Sequence, residues 1–422
     1  KLPDSLSIPR DVNEIKINNI KPITLKEVED LIEKNSPDLK VVKSRLEQSE
    51  QLLKSNIAKW YPSISLLGNG LPEYFSTEQS RNPDFGSDTS GRQWKTSLSA
   101  RVEWKLIDPA RVPNIAAAKD SYEQAKATYL ITLRDLRLRA SNQYFLLQRA
   151  DEGVRIGKQS MKASLISLRD ARARFEAGVA TRLEVLEAET QLARDKQLLT
   201  RKLGDQKITR RTLAATLDLP SETTPVSASA AQVIGTWSAS LEESIIAAYA
   251  FREELSQALL DISINNSNAN IAISESQPSI SLVNSLTYSN SQGQTGITND
   301  SSIDMNDYSS SLSNTIGLNA SWKIFDGGRA KALYKYHKLK AKESEHIFDV
   351  RKNTIRQEVE ESFYNLQAAN QDIATTTREV LASRESLRLA RLRFQAGVST
   401  QREVVNNQRD LTQAEVRYSD SI

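Results

Sequence analysis

Two histidines, His337 and His346, are the only imidazoles in the 422-residue chain, and there is no cysteine. The histidines lie nine positions apart on one helical pattern, off the i,i+4 spacing by which a helix offers two ligands to one metal. Without cysteine there is no thiolate ligand, no catalytic thiol and no disulfide; an oxidising compartment is tolerated but not required. No phosphate-cradling glycine loop, nucleophile elbow or carboxylate constellation occurs. No catalytic, cofactor or metal site is therefore expected, and the chain does not read as an enzyme. The chemistry that remains is that of hydroxyls and charges at two helix turns. Thr181 is followed three residues on by Glu184, and Thr400 by Glu403. In each pair the hydroxyl and the carboxylate are spaced to satisfy the free N–H groups at the start of a helix, as a capping box.

The elements around these pairs are the same. Arg174-Phe175-Glu176-Ala177-Gly178-Val179-Ala180-Thr181-Arg182-Leu183-Glu184-Val185 returns 219 positions later as Arg393-Phe394-Gln395-Ala396-Gly397-Val398-Ser399-Thr400-Gln401-Arg402-Glu403-Val404. Gly178 and Gly397 stand where a helix C-terminus needs a left-handed residue without a Cβ penalty. Each stretch is a tight hairpin between two helices. Leu147, Val154, Met161, Leu168 and Phe175 are spaced by seven, as are Leu366, Ile373, Val380, Leu387 and Phe394. On the return helices Val185, Leu192 and Leu199 match Val404, Leu411 and Tyr418. Sustained heptads predict left-handed coiled-coil pairing of outgoing and returning helices.

The repetition extends beyond the hairpins. Tyr61-Pro62-Ser63-Ile64-Ser65-Leu66 aligns with Gln277-Pro278-Ser279-Ile280-Ser281-Leu282, and Trp104-Lys105-Leu106-Ile107-Asp108 with Trp322-Lys323-Ile324-Phe325-Asp326. The offsets are 216 and 218, so small insertions separate two copies of one half-molecule. The expected organisation is an extended segment over 1–23, a first repeat over 24–217, a linker over 218–239 and a second repeat over 240–422. Each repeat opens with a short helix (25–35; 240–250) and a longer one (38–59; 253–275). In the first, strands over about 63–75 and 93–107 precede long helices over 109–177 and 181–217. In the second, strands over 279–290 and 310–325 precede helices over 327–396 and 400–422. Loops 72–92 and 290–309 read as polar, overlapping the outer ends of these strands. Asp108-Pro109 and Asp326 read as helix starts. A helix over 109–177 would be about 100 Å long at 1.5 Å per residue.

The clearest strand alternates strictly. Trp94, Thr96, Leu98, Ala100, Val102, Trp104 and Leu106 share one face, while Gln93, Lys95, Ser97, Ser99, Arg101, Glu103 and Lys105 share the other. The second copy repeats this with Leu312, Ile316, Leu318, Ala320, Trp322 and Ile324, Asn314 being the one break. Trp94 and Trp104 are ten residues apart, about 33 Å along a strand, or about 25 Å of height at a tilt near 40°. That is the height of a barrel's lipid-facing band with an aromatic at each edge; the alternative is the core face of a soluble sandwich. Four strands cannot close a barrel, and open edges cannot exist in lipid, so a sheet in the membrane would need further copies of the chain.

Composition sets the remaining bounds. Apolar residues are 39%, charged residues 26% and mean hydropathy is −0.49, low for one large spherical core. A net charge of +3, with basic and acidic residues interleaved, gives no case for nucleic acid. No apolar run is long enough for a transmembrane helix. The first residue is Lys, so the sequence is expected to begin downstream of a trimmed amino terminus.

In the order of its elements, its duplication, the Pro-ended helices before strands, the Trp-x-x-x-Asp joins and the paired Ala-Gly-Val-x-Thr hairpins, the chain resembles the TolC-like outer-membrane efflux proteins over about 24–422. The resemblance implies a mainly α protein with a small β part. It implies a homotrimer with a 12-stranded outer-membrane β-barrel continuous with a long α-helical barrel that crosses the periplasm of a Gram-negative-type envelope. It implies no cofactor, a periplasmic adaptor and an inner-membrane transporter as partners, and a passive exit duct for efflux or type I secretion, its cargo unspecified. Trp94, Trp104 and Trp322 would form the membrane aromatic belt. Gly178, Val179, Thr181, Gly397, Val398 and Thr400 would form the adaptor-docking tips. Glu184, Glu403, Asn406, Phe394, Ser399 and Arg402 would sit at the periplasmic gate. Asn406 departs from an acidic position of the family. Phe394 and Ser399 stand where better-studied members carry a latching Tyr and Arg, leaving Arg402 or Arg393 as replacements. Plainer readings stand beside these: Glu184 and Glu403 as capping partners, Phe175 and Phe394 as coiled-coil packing, and Arg182 and Arg402 as solvated or salt-bridged. A soluble elongated coiled-coil scaffold is the competing class; it explains the heptads but not the alternating strands.

Overall fold

The computed structural model describes residues 19–79, 89–297 and 304–422. Its elements, in chain order, are β1 (Asn19–Ile23), α1 (Leu25–Asn35), α2 (Pro37–Ala58), β2 (Ser63–Gln79), β3 (Thr89–Ile107), α3 (Arg111–Glu176), α4 (Arg182–Thr216), β4 (Thr223–Ser227), α5 (Leu241–Phe251), α6 (Glu253–Ser274), β5 (Ser279–Ile297), β6 (Asp304–Ser321), α7 (Arg329–Gln395) and α8 (Gln401–Ser421). The chain is mainly helical with a smaller sheet part. Contacts divide it into two units, one of Lys1–Arg45, Ala127–Leu255 and Asp349–Ile422, the other of Leu46–Lys126 and Ser256–Phe348. Neither unit coincides with a sequence repeat; each takes pieces from both.

The second of these units holds a four-stranded antiparallel sheet in the order β2-β3-β5-β6. Its strands run several residues into the stretches read as loops, because Ser, Asn, Gln and Gly there carry no hydrophobic alternation to mark them. The register places Ile64 and Leu66 beside Val102 and Ala100, these beside Asn284 and Leu286, and Asn284 and Leu282 beside Ile316 and Leu318. One face is therefore apolar in every strand, interrupted by Asn284 and Asn314; the other carries Ser63, Ser65, Ser97, Ser99, Ser285, Ser311 and Ser313. The break at Asn314 is resolved by Asn284, whose Nδ2 donates to Asn314 Oδ1 at 2.8 Å. Among the described residues no helix packs on the outer strands' apolar side: Ile64, Leu66, Leu312 and Ile316 are 75%, 76%, 71% and 70% exposed.

The same unit contains the strand-to-helix joins. β6 ends at Ser321, so Trp322 lies just past the strand in which its alternation placed it. The long helices start at Arg111 and Arg329, two residues later than Pro109 and Gly327 suggested. Asp108 Oδ1 accepts from Ala110 N–H at 3.1 Å; Asp326 accepts from Gly328 N–H at 2.9 Å and Ala330 N–H at 2.8 Å. The backbone N–H of Ala330 leads the influences that hold the Asp326 carboxyl below the ordinary carboxylate range.

In the first unit, β1 and β4 pair in parallel, Asn19 to Thr223 through Ile23 to Ser227. The extended amino-terminal segment and the linker thus form structure together, where each reads in sequence as irregular. Ile23, Val28, Ile32, Leu136, Ala140, Tyr144, Leu147, Leu213 and Leu217 make a buried core beside them. α1 is started by Thr24, whose hydroxyl and backbone exchange bonds with Glu27. Arg134 pairs with Glu253 at 3.4 Å and also with Glu254. Burial, the largest influence on Glu254, raises its pKa, but the Arg134 hydrogen bond, a backbone amide and the charges of Arg134 and Arg252 together hold it below the ordinary value.

Candidate functional site: the paired hairpin tips

Both hairpins lie in the first unit and are built as their repeat suggests. Gly178 and Gly397 have φ of +78° and +75°, the left-handed region where a side chain is strained. Gly178 N–H bonds Phe175 C=O at 2.9 Å and Val179 N–H bonds Arg174 C=O at 2.9 Å; Gly397 to Phe394 at 3.1 Å and Val398 to Arg393 at 3.0 Å repeat the pattern. These are paired Schellman closures. Val179 and Val398 are both 67% exposed at the tips.

Heptad packing joins the arms. Leu168 and Ala171 of α3 pack on Ala188 and Leu192 of α4, with Met161 and Val185 at the margin. Leu387 and Ala390 of α7 pack on Val404 and Leu411 of α8, with Val380 and Phe394 at the margin. Gly157, which weakens an isolated helix, sits where α4 comes close: a Cβ there would lie 3.3 Å from Leu199 Cα. Leu366, at the upper end of the second heptad series, and Phe175, at the lower end of the first, are exposed instead of packed.

The two caps differ. Thr181 and Glu184 form the full capping box, with Glu184 N–H to Thr181 Oγ1 at 3.4 Å and Thr181 N–H to Glu184 Oε1 at 3.3 Å. Thr400 is the N-cap of α8 but makes no side-chain cap bond, contrary to the spacing. The Glu403 carboxylate is held elsewhere, by Arg393 Nη1 at 3.1 Å and by the Ser399 hydroxyl. The guanidinium brings a full positive charge to those oxygens, where the Thr400 amide brings only a dipole.

Several side-chain contacts tie one hairpin to the other. Arg402 Nε of α8 donates to Glu187 Oε1 of α4 at 3.0 Å. The Arg174 guanidinium of α3 lies 4.4 Å over the Phe394 ring of α7. Gln401, almost fully buried, donates to Ser167 Oγ, and Ser160 and Thr412 hydroxyls meet at 3.1 Å. Between the hairpins remains a groove of about 670 Å³ whose lining is rich in amides, Gln159, Gln191, Gln395 and Gln408 among them.

Of the residues singled out in sequence, Arg402 and Phe394 thus make contacts between the hairpins, while Ser399 and Glu403 bond within the second hairpin. Glu184 is engaged within its own hairpin. Asn406 is exposed beside Arg402 in a shallow groove that includes Leu183 and Leu186. Trp94 belongs to β3 of the other unit, its ring 5.1 Å from that of Tyr74. Glu187 and Arg174 were not singled out; as charged residues on heptad helices they look like solvated faces, and only the contacts of α8 with α4 and of α7 with α3 show otherwise. Among the described residues no group of three or more His, Asp or Glu could hold a metal ion, and no helix is long and apolar enough to cross a membrane.

An antiparallel sheet with an exposed apolar face and a hydroxyl-lined face, on a chain of long paired helices ending in twin hairpins, defines a class: outer-membrane proteins whose strands meet lipid. The chain belongs to the outer membrane efflux protein family, whose model matches residues 29–218 and 246–421, and its place is the outer membrane. It is 21% identical over 404 residues to the outer membrane protein TolC of Vibrio cholerae, covering 94% of this chain and 86% of that one. The fold is shared with a membrane protein of Pseudomonas aeruginosa (TM-score 0.77, 17% identity, 94% and 86% of the two chains). It is shared too with the outer membrane protein VceC of Vibrio cholerae (TM-score 0.74, 15% identity, 94% and 92%).

Proposed function

We propose that three copies of this chain close a 12-stranded barrel in the outer membrane and form a passive, water-filled exit duct, with no enzymatic activity. Its partners are a periplasmic adaptor and an inner-membrane transporter, in efflux or type I secretion. The observation that carries this reading is the sheet: an apolar face exposed across four strands, and two unpaired edges, β2 and β6. Lipid leaves an exposed strand edge no water to bond, so such a sheet is stable in a bilayer only if other copies pair with its edges. The Ser-rich face then lines water, with Gln93, Lys95, Ser97, Ser99 and Arg101. A soluble coiled-coil scaffold leaves that apolar face without a purpose.

The hairpin tips act as the gate, and Arg402–Glu187 with Arg174–Phe394 replace a Tyr–Arg latch. Gly178, Val179, Thr181, Gly397, Val398 and Thr400 shape the ends that meet the adaptor. Glu184, Glu403 and Asn406 face the pore mouth. Purified protein in planar bilayers is expected to give discrete single-channel steps, and Glu403→Ala to change their size or their block by cations. Absence of steps from well-folded protein would sink the duct; an unchanged Glu403→Ala channel would remove Glu403 from the gate.

A further inference from the structure

The apolar face on which Trp104 and Trp322 were grouped suggests rings lying in lipid, yet their indole N–H groups point back into the protein. Trp104 Nε1 donates to the main-chain oxygen of Trp60 at 2.9 Å, and Trp322 Nε1 to that of Ser276 at 3.0 Å. Trp60 and Ser276 occupy corresponding places in the two copies, each two residues past the end of its helix, α2 or α6. Carbonyls at a helix end lack intrahelical partners, and each of these receives one from the foot of a strand. The acceptor is main chain, so its residue type differs freely between copies; the donor is an indole in both.

An arginine completes the arrangement at the corresponding start of each long helix. The Arg111 guanidinium lies 4.4 Å from the Trp60 ring and donates to Lys105 C=O, and Arg111 is only 3% exposed. Arg329, its counterpart, pairs with Glu275, next to Ser276. In both copies a Trp ties the strand foot, and an Arg the start of the following helix, to the end of the preceding helix. The Trp bonds are alike; the Arg partners differ, an aromatic face in one copy and a carboxylate in the other.

We propose that Trp104 and Trp322 are positioning residues of a clasp, built twice, that fixes the junction between strand and long helix through the indole N–H. Trp94, whose ring meets Tyr74, is left as the belt residue of β3. The clasp holds the turn bonds Trp60 N–H to Ile57 C=O, at 3.0 Å, and Ser276 N–H to Ile273 C=O, at 3.1 Å, against fraying. This goes beyond the duct reading and does not depend on it.

Hydrogen exchange on the whole protein in detergent, followed by peptide, tests it with Trp→Phe and Trp→Leu at each position. Phe keeps an aromatic ring for lipid but has no N–H. Trp104→Phe is expected to speed exchange over residues 57–63 by about three- to tenfold, the range of one lost hydrogen bond, leaving 273–279 unchanged. Trp322→Phe is expected to do the converse, and Leu to match Phe at both sites. Should a variant fail to assemble, benzothienylalanine at the same position retains the two-ring shape with sulfur in place of N–H, and the same local acceleration is expected. Wild-type exchange in the Phe or benzothienyl proteins, with loss only in Leu, would overturn the clasp in favour of the ring alone. Unchanged exchange in every variant would overturn it too.

Discussion

Removing Arg402 tests the gate through a bond whose strength its surroundings bound. Its side chain is 66% exposed and that of Glu187 22%, so the pair is closer to a surface bridge than a buried one. Such a pair contributes about 0.5 kcal/mol. Three copies opening together would lose about 1.5 kcal/mol, which shifts the closed-to-open ratio about tenfold, since 1.4 kcal/mol is a factor of ten. Arg402→Ala, Glu187→Ala and the double variant should therefore each raise the open fraction of reconstituted channels by about that factor. The double variant should resemble either single one, because both remove the same bond. High salt should narrow the difference from wild type, as it screens an exposed pair. If the two substitutions add, or neither changes channel opening while the trimer stays intact, Arg402–Glu187 is not a latch.

Other outcomes follow from the same geometry. Thr181→Ala is expected to lower thermal stability by about 1 kcal/mol through loss of the capping box, and Thr400→Ala to leave it nearly unchanged, because Thr400 makes no side-chain cap bond; equal losses in calorimetry would contradict the difference. At Gly178 and Gly397 a Cβ meets nothing within 4 Å, so substitution by Ala should cost only the left-handed backbone term, about 1–2 kcal/mol at each site, measured by thermal melting. Val at either site should also abolish efflux while trimers still assemble, and retained efflux would count against tip docking. Because the Glu254 pKa is lowered in the folded chain, its contribution is present above the ordinary carboxylate value and is lost as pH falls through the lowered one. Wild type and Glu254→Gln should accordingly differ in stability near neutrality and converge as pH falls below the ordinary carboxylate value and through the lowered one; parallel curves through that range would remove the Arg134–Glu254 pair from the pH response.

How much of this was legible in the sequence depended on whether a pattern was local. The hairpins were, because Gly178 and Gly397 each close their own turn. So was the core of β3, where an apolar face and a polar face alternate strictly from Trp94 to Trp104. The outer reaches of the strands were not, since Ser, Asn and Gly there form no apolar face. The pairing of β1 with β4 was hidden because both strands are five residues long, carry a proline (Pro22, Pro225) and are joined only through distant chain. The second capping box failed for a reason spacing cannot hold: Glu403 is three residues from Thr400, but Arg393, across the turn, competes for its oxygens. The indole bonds of Trp104 and Trp322 were invisible for the same cause, their acceptors lying 44 and 46 residues upstream.

The claim on which the rest stands is that the two open edges of the sheet are closed by further copies of the chain. The native mass of the protein extracted from outer membranes in mild detergent measures this directly. Three times the 47.2 kDa chain mass is the expected result. A folded monomer of 47.2 kDa, stable with both β2 and β6 unpaired, would contradict it.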